Sequence, residues 1–501
     1  MDAETTDRLL NQSAWQEAED RRQEVEQAWL DEQARRSGGD NGEPAHPGGE
    51  PESTSAVATP QYTDLAFGRR LARQHAGRLR FCGHTGWLVW TGSHWKRDES
   101  GVVAELAKAI VTDAYRDLAN IASDSARAAA YKGIRTCESA HRIRGILQLA
   151  ESEPALRVSV EQLDCDPWLL NVQNGTIDLR TGAFRKAEPA DLITKRANVA
   201  YAPKASAPLW NDCLATWFDG DLDLIGYIQR AVGYSLTGST REQILHLLYG
   251  SGANGKSVFC VTILALLGYY GTQADASSFM VKRGDSIPND LARLAGVRFV
   301  GVTELDEGRR VAEGLVKSLT GGDRIVARFL HHEFFEFVPS FKLWLSGNHL
   351  PVIRGTDLAI WRRVRLIPFT VTIPEDERDA DLGAKLKAEL PGILLWALDG
   401  CRAWQRDGLN PPESVAAATG QYRVSQDTLA AFIEECCVVG PLFEVGAGAL
   451  YDTYQRWAGK SAAMSQTAFG RRLDELGHTK RRATGGRIVR CGVGLIDGSE
   501  Q

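Results

Sequence analysis

A chain of 501 residues has room for two to four domains, and its 43% hydrophobic residues are ample for ordinary cores. No run approaches the roughly eighteen apolar residues of a membrane span, and the polar, acidic N-terminus lacks signal-peptide order, so neither is expected. The net charge of −6 divides unevenly: residues 1–60 hold 14 acidic and 5 basic side chains, leaving residues 61–501 with 53 basic against 50 acidic, too small an excess to argue for or against nucleic acid.

In chain order, residues 7–36 form a polar, helix-compatible run carrying Trp15 and Trp29. Residues 37–60 are rich in Gly, Pro, Glu and Ser and read as a disordered linker, so residues 1–60 are expected to be an acidic tail. Residues 61–207 are expected to form one N-terminal domain. It opens with a hairpin-like pattern of Trp87, Trp90 and Trp95 around Thr91-Gly92-Ser93, followed by helices over 103–118 and 138–152. Those tryptophans could stack on bases, but their alternation with aliphatic residues favours packing. Residues 208–240 read as helical, with Trp210, Leu214, Trp217 and Phe218 at core spacing. The nine cysteines are scattered with no C-x-x-C pair, which argues against a zinc ribbon and suits a reducing cytoplasm.

The chemistry concentrates after residue 240. Gly250, Ser251, Gly252, Ala253, Asn254, Gly255, Lys256 and Ser257 fit the pattern G-x-x-x-x-G-K-[ST], between an apolar strand-like run at 244–249 and a helix-like run at 258–267. In that setting glycines turn backbone N–H groups toward phosphates, Lys256 reaches the β- and γ-phosphates, and Ser257 offers a hydroxyl to Mg²⁺. ATP and Mg²⁺ are therefore the expected ligands. A second strand at 298–303 leads into Glu304 and Asp306, which read either as acids placed to hold Mg²⁺ through water and to orient the attacking water or as a solvated acidic turn. A third at 341–346 leads to Asn348, whose amide suits a γ-phosphate sensor. Arg362, Arg363 and Arg365 precede a fourth strand-like run and read either as phosphate-facing or as surface charge.

Residues 324–337 read as two strands around a polar tip with His331 and His332, either a DNA contact or an exposed turn. Helices are expected over 381–389, 393–406 and 414–436, filling a helical segment at 371–440. Residues 441–501 read as helix, helix and basic β-wing, a winged-helix pattern. Within twenty residues there, Arg471, Arg472, Lys480, Arg481, Arg482, Arg487 and Arg490 face only Asp474 and Glu475, which suits either phosphate contacts or a solvated wing with no nucleic-acid partner.

The ordered set of Gly250 to Ser257, Asp290 to Leu294, Glu304, Lys317 to Asp323, Phe341 to Asn348, and Trp361-Arg362-Arg363 resembles the superfamily 3 helicases. The likeness is to the phage and plasmid primase-helicase branch that includes poxvirus-type replication ATPases. Pro167 to Leu179 resembles the domain that precedes the helicase in that family, so the likeness covers about residues 75–495. One departure is that Leu305 separates acids that many relatives place side by side. The resemblance implies an α/β P-loop ATPase core with a parallel, AAA+-like sheet at 208–370, helical flanking domains and a C-terminal winged-helix domain.

It further implies an ATP-dependent DNA helicase of a phage, prophage or plasmid, working as a homo-hexamer on single-stranded or forked DNA in a bacterial cytoplasm. Lys256, Glu304, Asp306, Asn348 and Arg363 or Arg362 would be the catalytic set, Ser257 with Glu304 the Mg²⁺ ligands, and the arginine a finger supplied in trans. His331 and His332 would grip DNA in the ring's channel, with Arg481, Arg482 and Arg487 adding contacts from the tail. A replication initiator or a primase is an expected partner. Alternatives are an initiator or scaffold ATPase that does not unwind, or the helicase part of a primase-helicase; the sixty residues before the match are too few for a primase domain, so no primase activity is expected.

Overall fold

The computed structural model describes residues 62–281, 289–303, 308–328, 334–354, 358–459, 463–483 and 485–496. The acidic tail with Trp15 and Trp29 lies outside the described residues.

Helix α1 (Asp64–His75) starts at Thr63, whose side chain accepts a hydrogen bond from the Ala66 N–H and so satisfies one orphan donor of the first turn. An antiparallel meander follows, β1 (Leu79–Cys82), β2 (Gly86–Trp90) and β3 (Trp95–Arg97), then α2 (Val102–Asp113), α3 (Asp124–Cys137) and α4 (Ala140–Ala150). Trp95 is fully buried, Trp90 packs on it with ring centroids 5.6 Å apart, and Trp87 meets Phe81 edge-on at 5.2 Å. The three aromatics of the hairpin are thus engaged in packing. Helices α1 and α3 were not anticipated from the sequence, and the helix expected over 103–118 ends at Asp113 and continues as a tighter 3₁₀ turn to Asn120.

A second meander, β4 (Leu169–Val172), β5 (Gly175–Asp178) and β6 (Ala183–Arg185), leads to helices α5 (Pro208–Trp217) and α6 (Leu222–Ser235). Trp210, Leu214, Trp217 and Phe218 are all buried, as their spacing predicts. Leu170, Val172 and Ile177 of the meander share one continuous core with Trp210, Phe259 and Trp404.

The central sheet is built from β7 (Leu245–Tyr249), β8 (Gly271–Ala274), β9 (Phe299–Val302), β12 (Lys342–Gly347) and β13 (Val364–Pro368), while β10 (Ile325–Ala327) and β11 (Phe335–Phe337) pair separately. All neighbouring pairs in the central sheet are parallel. Counted in chain order, its strands lie 5-1-4-3-2. Strand β12 is buried along its whole length and β9 likewise, which is why neither alternates: β9 reads as Phe-Val-Gly-Val, and β12 carries Leu343-Trp344-Leu345 between buried Lys342 and Ser346. Helix α7 (Lys256–Leu267) crosses from β7 toward β8; short helices α8 (Asn289–Ala292), α9 (Glu313–Gly321) and α10 (Leu358–Trp361) fill the remaining connections.

Two cations are buried where β9 and β12 begin. Arg298 donates to the carbonyls of Leu236 at 2.7 Å and Leu169 at 2.8 Å and stacks over the Tyr270 ring at 4.4 Å. Lys342 donates to the carbonyls of Thr237, Ser239 and Ser340 and lies over the Tyr234 ring at 4.6 Å. Burial pushes the Lys342 ammonium well below its ordinary pKa, and the neighbouring Arg298 charge adds to the shift. The Leu236, Thr237 and Ser239 carbonyls lie just past the end of α6, where backbone acceptors lack helical partners and the dipole is negative, while Leu169 of β4 and Ser340 supply the others.

Helices α11 (Leu382–Ala388), α12 (Leu390–Asp407), α13 (Glu413–Gln426) and α14 (Thr428–Cys436) follow. The single helix expected over 414–436 is two, because Asp427 turns its side chain to cap α14 at the Ala430 N–H. The last residues give β14 (Cys437–Gly446), α15 (Ala447–Ala458), α16 (Gln466–Glu475), β15 (Lys480–Arg482) and β16 (Ile488–Leu495), with the strands antiparallel in the order β14-β16-β15. Leu429, Phe432, Leu450, Tyr454, Phe469, Leu473 and Val493 make a core of their own. Strand β14 escaped the sequence reading because it alternates poorly and Val439 and Leu442 stand exposed on it. No helix among the described residues is long and apolar enough to cross a membrane.

Helices α6 and α12 meet at two glycines: a side-chain carbon at Gly400 would overlap the Gln229 carbonyl, and one at Gly233 would overlap the Cys401 backbone. Gly400→Ala is expected to destabilise the fold by about 2–3 kcal/mol through overpacking, read as a lowered midpoint in denaturant unfolding; an unchanged midpoint would show that the helices can separate freely.

Candidate nucleotide site

Strand β7 ends at Tyr249 and the chain passes into buried Gly250. Gly252 (φ 107°), Ala253 (φ 49°) and Gly255 (φ 87°) adopt left-handed conformations, which wrap the backbone into a loop directly ahead of α7. At Gly255 the absence of a side chain is also a packing demand, since a Cβ there would overlap the Trp217 indole of α5. The buried aromatics of α5 therefore form the floor on which the loop rests.

Lys256 opens α7 with its side chain 4% exposed. Its Nζ donates to the Gly250 carbonyl at 2.8 Å, to Asn254 Oδ1 at 2.9 Å and to Asn348 Oδ1 at 3.2 Å. Burial lowers its pKa from the ordinary lysine value. Asn348 follows the last residue of β12, so the structure brings the loop lysine and the proposed sensor amide into direct contact across 92 positions of chain. Ser257 is exposed next to Lys256 at the helix N-terminus, where a hydroxyl oxygen suits a cation that prefers oxygen ligands. Strand β9 leaves the sheet at the same edge, where Thr303 Oγ1 accepts from Gln273 Nε2 at 2.9 Å. Glu304 and Asp306 come next in the chain and lie outside the described residues.

The segment after β13 braces the loop from the other side. Phe369 N–H donates to the Tyr249 carbonyl at 2.7 Å, Asn254 Nδ2 donates to the Phe369 carbonyl at 3.2 Å, and Ile373 N–H donates to the Ala253 carbonyl at 2.8 Å. The loop pattern does not reveal this bracing by Asn254, because nothing in it tells which backbone carbonyl a loop amide will face.

Arg362 and Arg363 occupy the opposite edge of the sheet. Val364 begins β13 beside Leu245, the first residue of β7, and the Leu245 N–H donates to the Arg363 carbonyl at 2.8 Å. Five strand residues, about 17 Å, separate that edge from the P-loop, so neither arginine serves the loop of its own chain. The two also differ. Arg363 is buried, donating to Ala359 O at 2.5 Å, Thr320 Oγ1 at 3.1 Å and Gln243 Oε1 at 3.5 Å, whereas Arg362 is exposed and donates to Gln243 Oε1 at 3.1 Å. A finger reaching outward fits Arg362 better than Arg363.

His331 and His332 lie outside the described residues; the strands leading to them pair antiparallel from Ile325 with Phe337 to Ala327 with Phe335. Of the C-terminal cations, three are tied to acids. Arg481 pairs with Glu444 at 2.6 Å, Arg472 with Asp427 at 3.1 Å and Glu475 at 2.9 Å, and buried Arg490 with Asp474. Arg471, Lys480, Arg482 and Arg487 stand exposed on α16 and around the β15–β16 turn. Among the described residues no three His, Cys, Asp or Glu side chains gather as a metal cluster.

Residues 68–219 match the family model described as D5 N terminal like, and residues 248–363, from the P-loop to Arg363, match a family of unknown function. The chain is 30% identical over 302 residues to "Putative helicase L207/L206" of Acanthamoeba polyphaga mimivirus, covering 56% of this chain and 31% of that one. It is 25% identical over 414 residues to "Putative helicase 022R" of Frog virus 3, covering 66% and 41%. It is 23% identical over 332 residues to "Putative primase C962R" of African swine fever virus, covering 60% and 34%. The chain thus spans between about a third and two fifths of the length of these relatives. The apo structure of the NrS-1 C-terminal region aligns with a TM-score of 0.48 at 10% identity, covering 87% of this chain and 100% of that one. The likeness is to proteins of the helicase and primase kind, and residues 68–219 carry a D5-type N-terminal portion.

Lys256→Ala is expected to leave the fold intact and to bring ATP hydrolysis below detection, because the neutral acceptors around Nζ remain while the charge facing the phosphates is gone. Near wild-type hydrolysis by the purified variant would remove the loop from the catalytic machinery.

Proposed function

We propose that this chain is an ATP-dependent DNA helicase of a replication system, working as a homo-hexameric ring. The observation that carries the reading is the contact of Lys256 with Asn348 at the carboxyl edge of a parallel 5-1-4-3-2 sheet, where an α/β fold presents a nucleotide to loop and strand tips together. Lys256 and the loop N–H groups would hold the triphosphate, and Asn348 would orient the γ-phosphate and the attacking water. Ser257 with Glu304 would hold Mg²⁺, which would supply charge neutralisation at the β- and γ-oxygens. Glu304 or Asp306 would orient the attacking water.

The distance of Arg362 from its own loop supports a site completed by a neighbouring copy. The order α14, β14, α15, α16 and the β15–β16 hairpin supports a winged-helix reading of the C-terminal domain, with Arg471, Lys480, Arg482 and Arg487 as the phosphate contacts. Arg481, held by Glu444, is a weaker candidate than its neighbours. His331 and His332 remain proposed channel contacts on single-stranded or forked DNA. The phage, prophage or plasmid setting in a bacterial cytoplasm belongs to the proposal, and the relatives named above are viral. A second reading, the helicase part of a primase-helicase with an initiator or primase partner, is favoured by the relative named a primase.

Strand displacement on forked DNA is the deciding assay: ATP-dependent release of the labelled strand is expected, and ATP hydrolysis without any release would favour the initiator or scaffold ATPase. Arg362→Ala is expected to bind ATP almost normally and hydrolyse it on the order of a thousandfold more slowly, with activity returning when it is mixed with Lys256→Ala subunits. Failure of the two to complement in a stable assembly would sink the trans arrangement. Arg363→Ala, by contrast, should lower the melting temperature, since it empties a buried guanidinium site.

Replacing Arg471, Lys480, Arg482 and Arg487 together by alanine is expected to weaken DNA binding and to reduce the slope of log K against log salt by about 3 to 4 on duplex DNA. An unchanged slope would assign this surface to something other than nucleic acid.

A further inference from the structure

Two side chains of the loop Gly250–Ser257 are buried, Lys256 and Asn254. Asn254 is bonded at both ends of its amide. Nδ2 donates to the Phe369 carbonyl at 3.2 Å, and Oδ1 accepts from Lys256 Nζ at 2.9 Å. A carbonyl can only accept, so the Phe369 contact decides which way the amide is turned and leaves its oxygen toward the lysine. The Phe369 carbonyl is itself a fixed point. The same residue's N–H is bonded to Tyr249, and its ring packs edge-on against Phe218 at 4.7 Å and Phe259 at 6.4 Å. Gly250 closes the arrangement, because a side-chain carbon there would overlap both the Phe369 carbonyl and the Asn254 amide.

We propose that Asn254 is a positioning residue for nucleotide binding, its amide holding the Lys256 ammonium in place for the phosphates with the Phe369 carbonyl as its anchor. This rests on the P-loop reading above. Lysine carries four rotatable bonds, and without a fixed acceptor its ammonium would have to be ordered by the ligand at the ligand's expense in affinity. Of the three acceptors, Gly250 and Asn254 belong to the loop itself, and Asn348 comes from another strand whose amide is needed for the γ-phosphate. Asn254 is therefore the side chain that keeps the lysine oriented whichever way the sensor turns.

The test uses the full-length protein, with binding of ADP and of a non-hydrolysable ATP analogue measured by titration calorimetry, steady-state hydrolysis, and a melting curve for each variant. Asn254→Ala is expected to raise Kd for both nucleotides and KM for ATP about tenfold, the size of one hydrogen bond to a charged group, with kcat changing less than about threefold. Asn254→Asp keeps the shape but sets a carboxylate against the Phe369 carbonyl and among the phosphates, and should raise Kd more than Asn254→Ala does. A lowered melting temperature with unchanged or tighter Kd for Asn254→Ala overturns the proposal and leaves Asn254 a structural residue. Should Asn254→Ala not fold, Asn254→Ser, whose hydroxyl is too short to reach both partners, must show the same rise in KM or the proposal fails. A wild-type protein that binds neither nucleotide would instead defeat the underlying P-loop reading, a result distinct from equal binding by wild type and variant.

Discussion

Arg298 and Lys342 are buried charges with backbone carbonyls as their principal partners, and the geometry of the site hangs on them. A guanidinium or ammonium out of water is tolerated only when its donors are met, and here the acceptors are the loose carbonyls beyond α6 together with that of Leu169 at the start of β4. Each cation stands at the start of a strand that leads to a proposed site residue: β9 leads from Arg298 toward Glu304, and β12 leads from Lys342 to Asn348. Strand rise is nearly constant, so fixing the start of β12 fixes where Asn348 meets Lys256. Through Leu169, Arg298 also ties the second meander to the sheet, which explains why the meander shares the sheet's core rather than forming a separate one.

Much of this was legible in the sequence, for identifiable reasons. The loop ahead of α7 was visible because glycine spacing and two apolar flanks coincide; β9 was visible because a strand covered on both faces reads as a continuous apolar run, and β12 and β13 showed through the short apolar stretches Leu343-Trp344-Leu345 and Leu366-Ile367. Trp210, Leu214 and Trp217 showed themselves by helical spacing. What stayed hidden was orientation. Arg362 and Arg363 are adjacent and chemically alike, and only the register of β13 beside β7 turns one outward and folds the other against Thr320 and Ala359. The buried amide of Asn254 is hidden for the same reason, since its partner Phe369 lies more than a hundred positions away.

The C-terminal region shows how far a tally of charges can be trusted. Seven cations against two acids within twenty residues looks like a surface made for phosphate, yet Asp427 and Glu444 from outside that window claim two of the arginines, and Asp474 from within it claims a third. Folding brings in counter-charges that a linear window cannot contain. The remaining exposed set is smaller and confined to α16, β15 and the turn that follows it, and a compact set is what a groove of fixed spacing requires.

All nine cysteines are free thiols, and only Cys165 is classed as exposed; six are buried, while Cys436 and Cys491 lie between. Burial also pushes Cys260, on the first turns of the P-loop helix, up to about 12, and Cys401 to about 11, so neither is a ready thiolate. A thiol-directed dye should therefore go first to Cys165, one residue from Asp166, whose backbone carbonyl lies 3.5 Å from Arg298. The natural sequence thus offers a fluorescent reporter beside the buried cation that anchors β9, attached without engineering and away from the P-loop lysine.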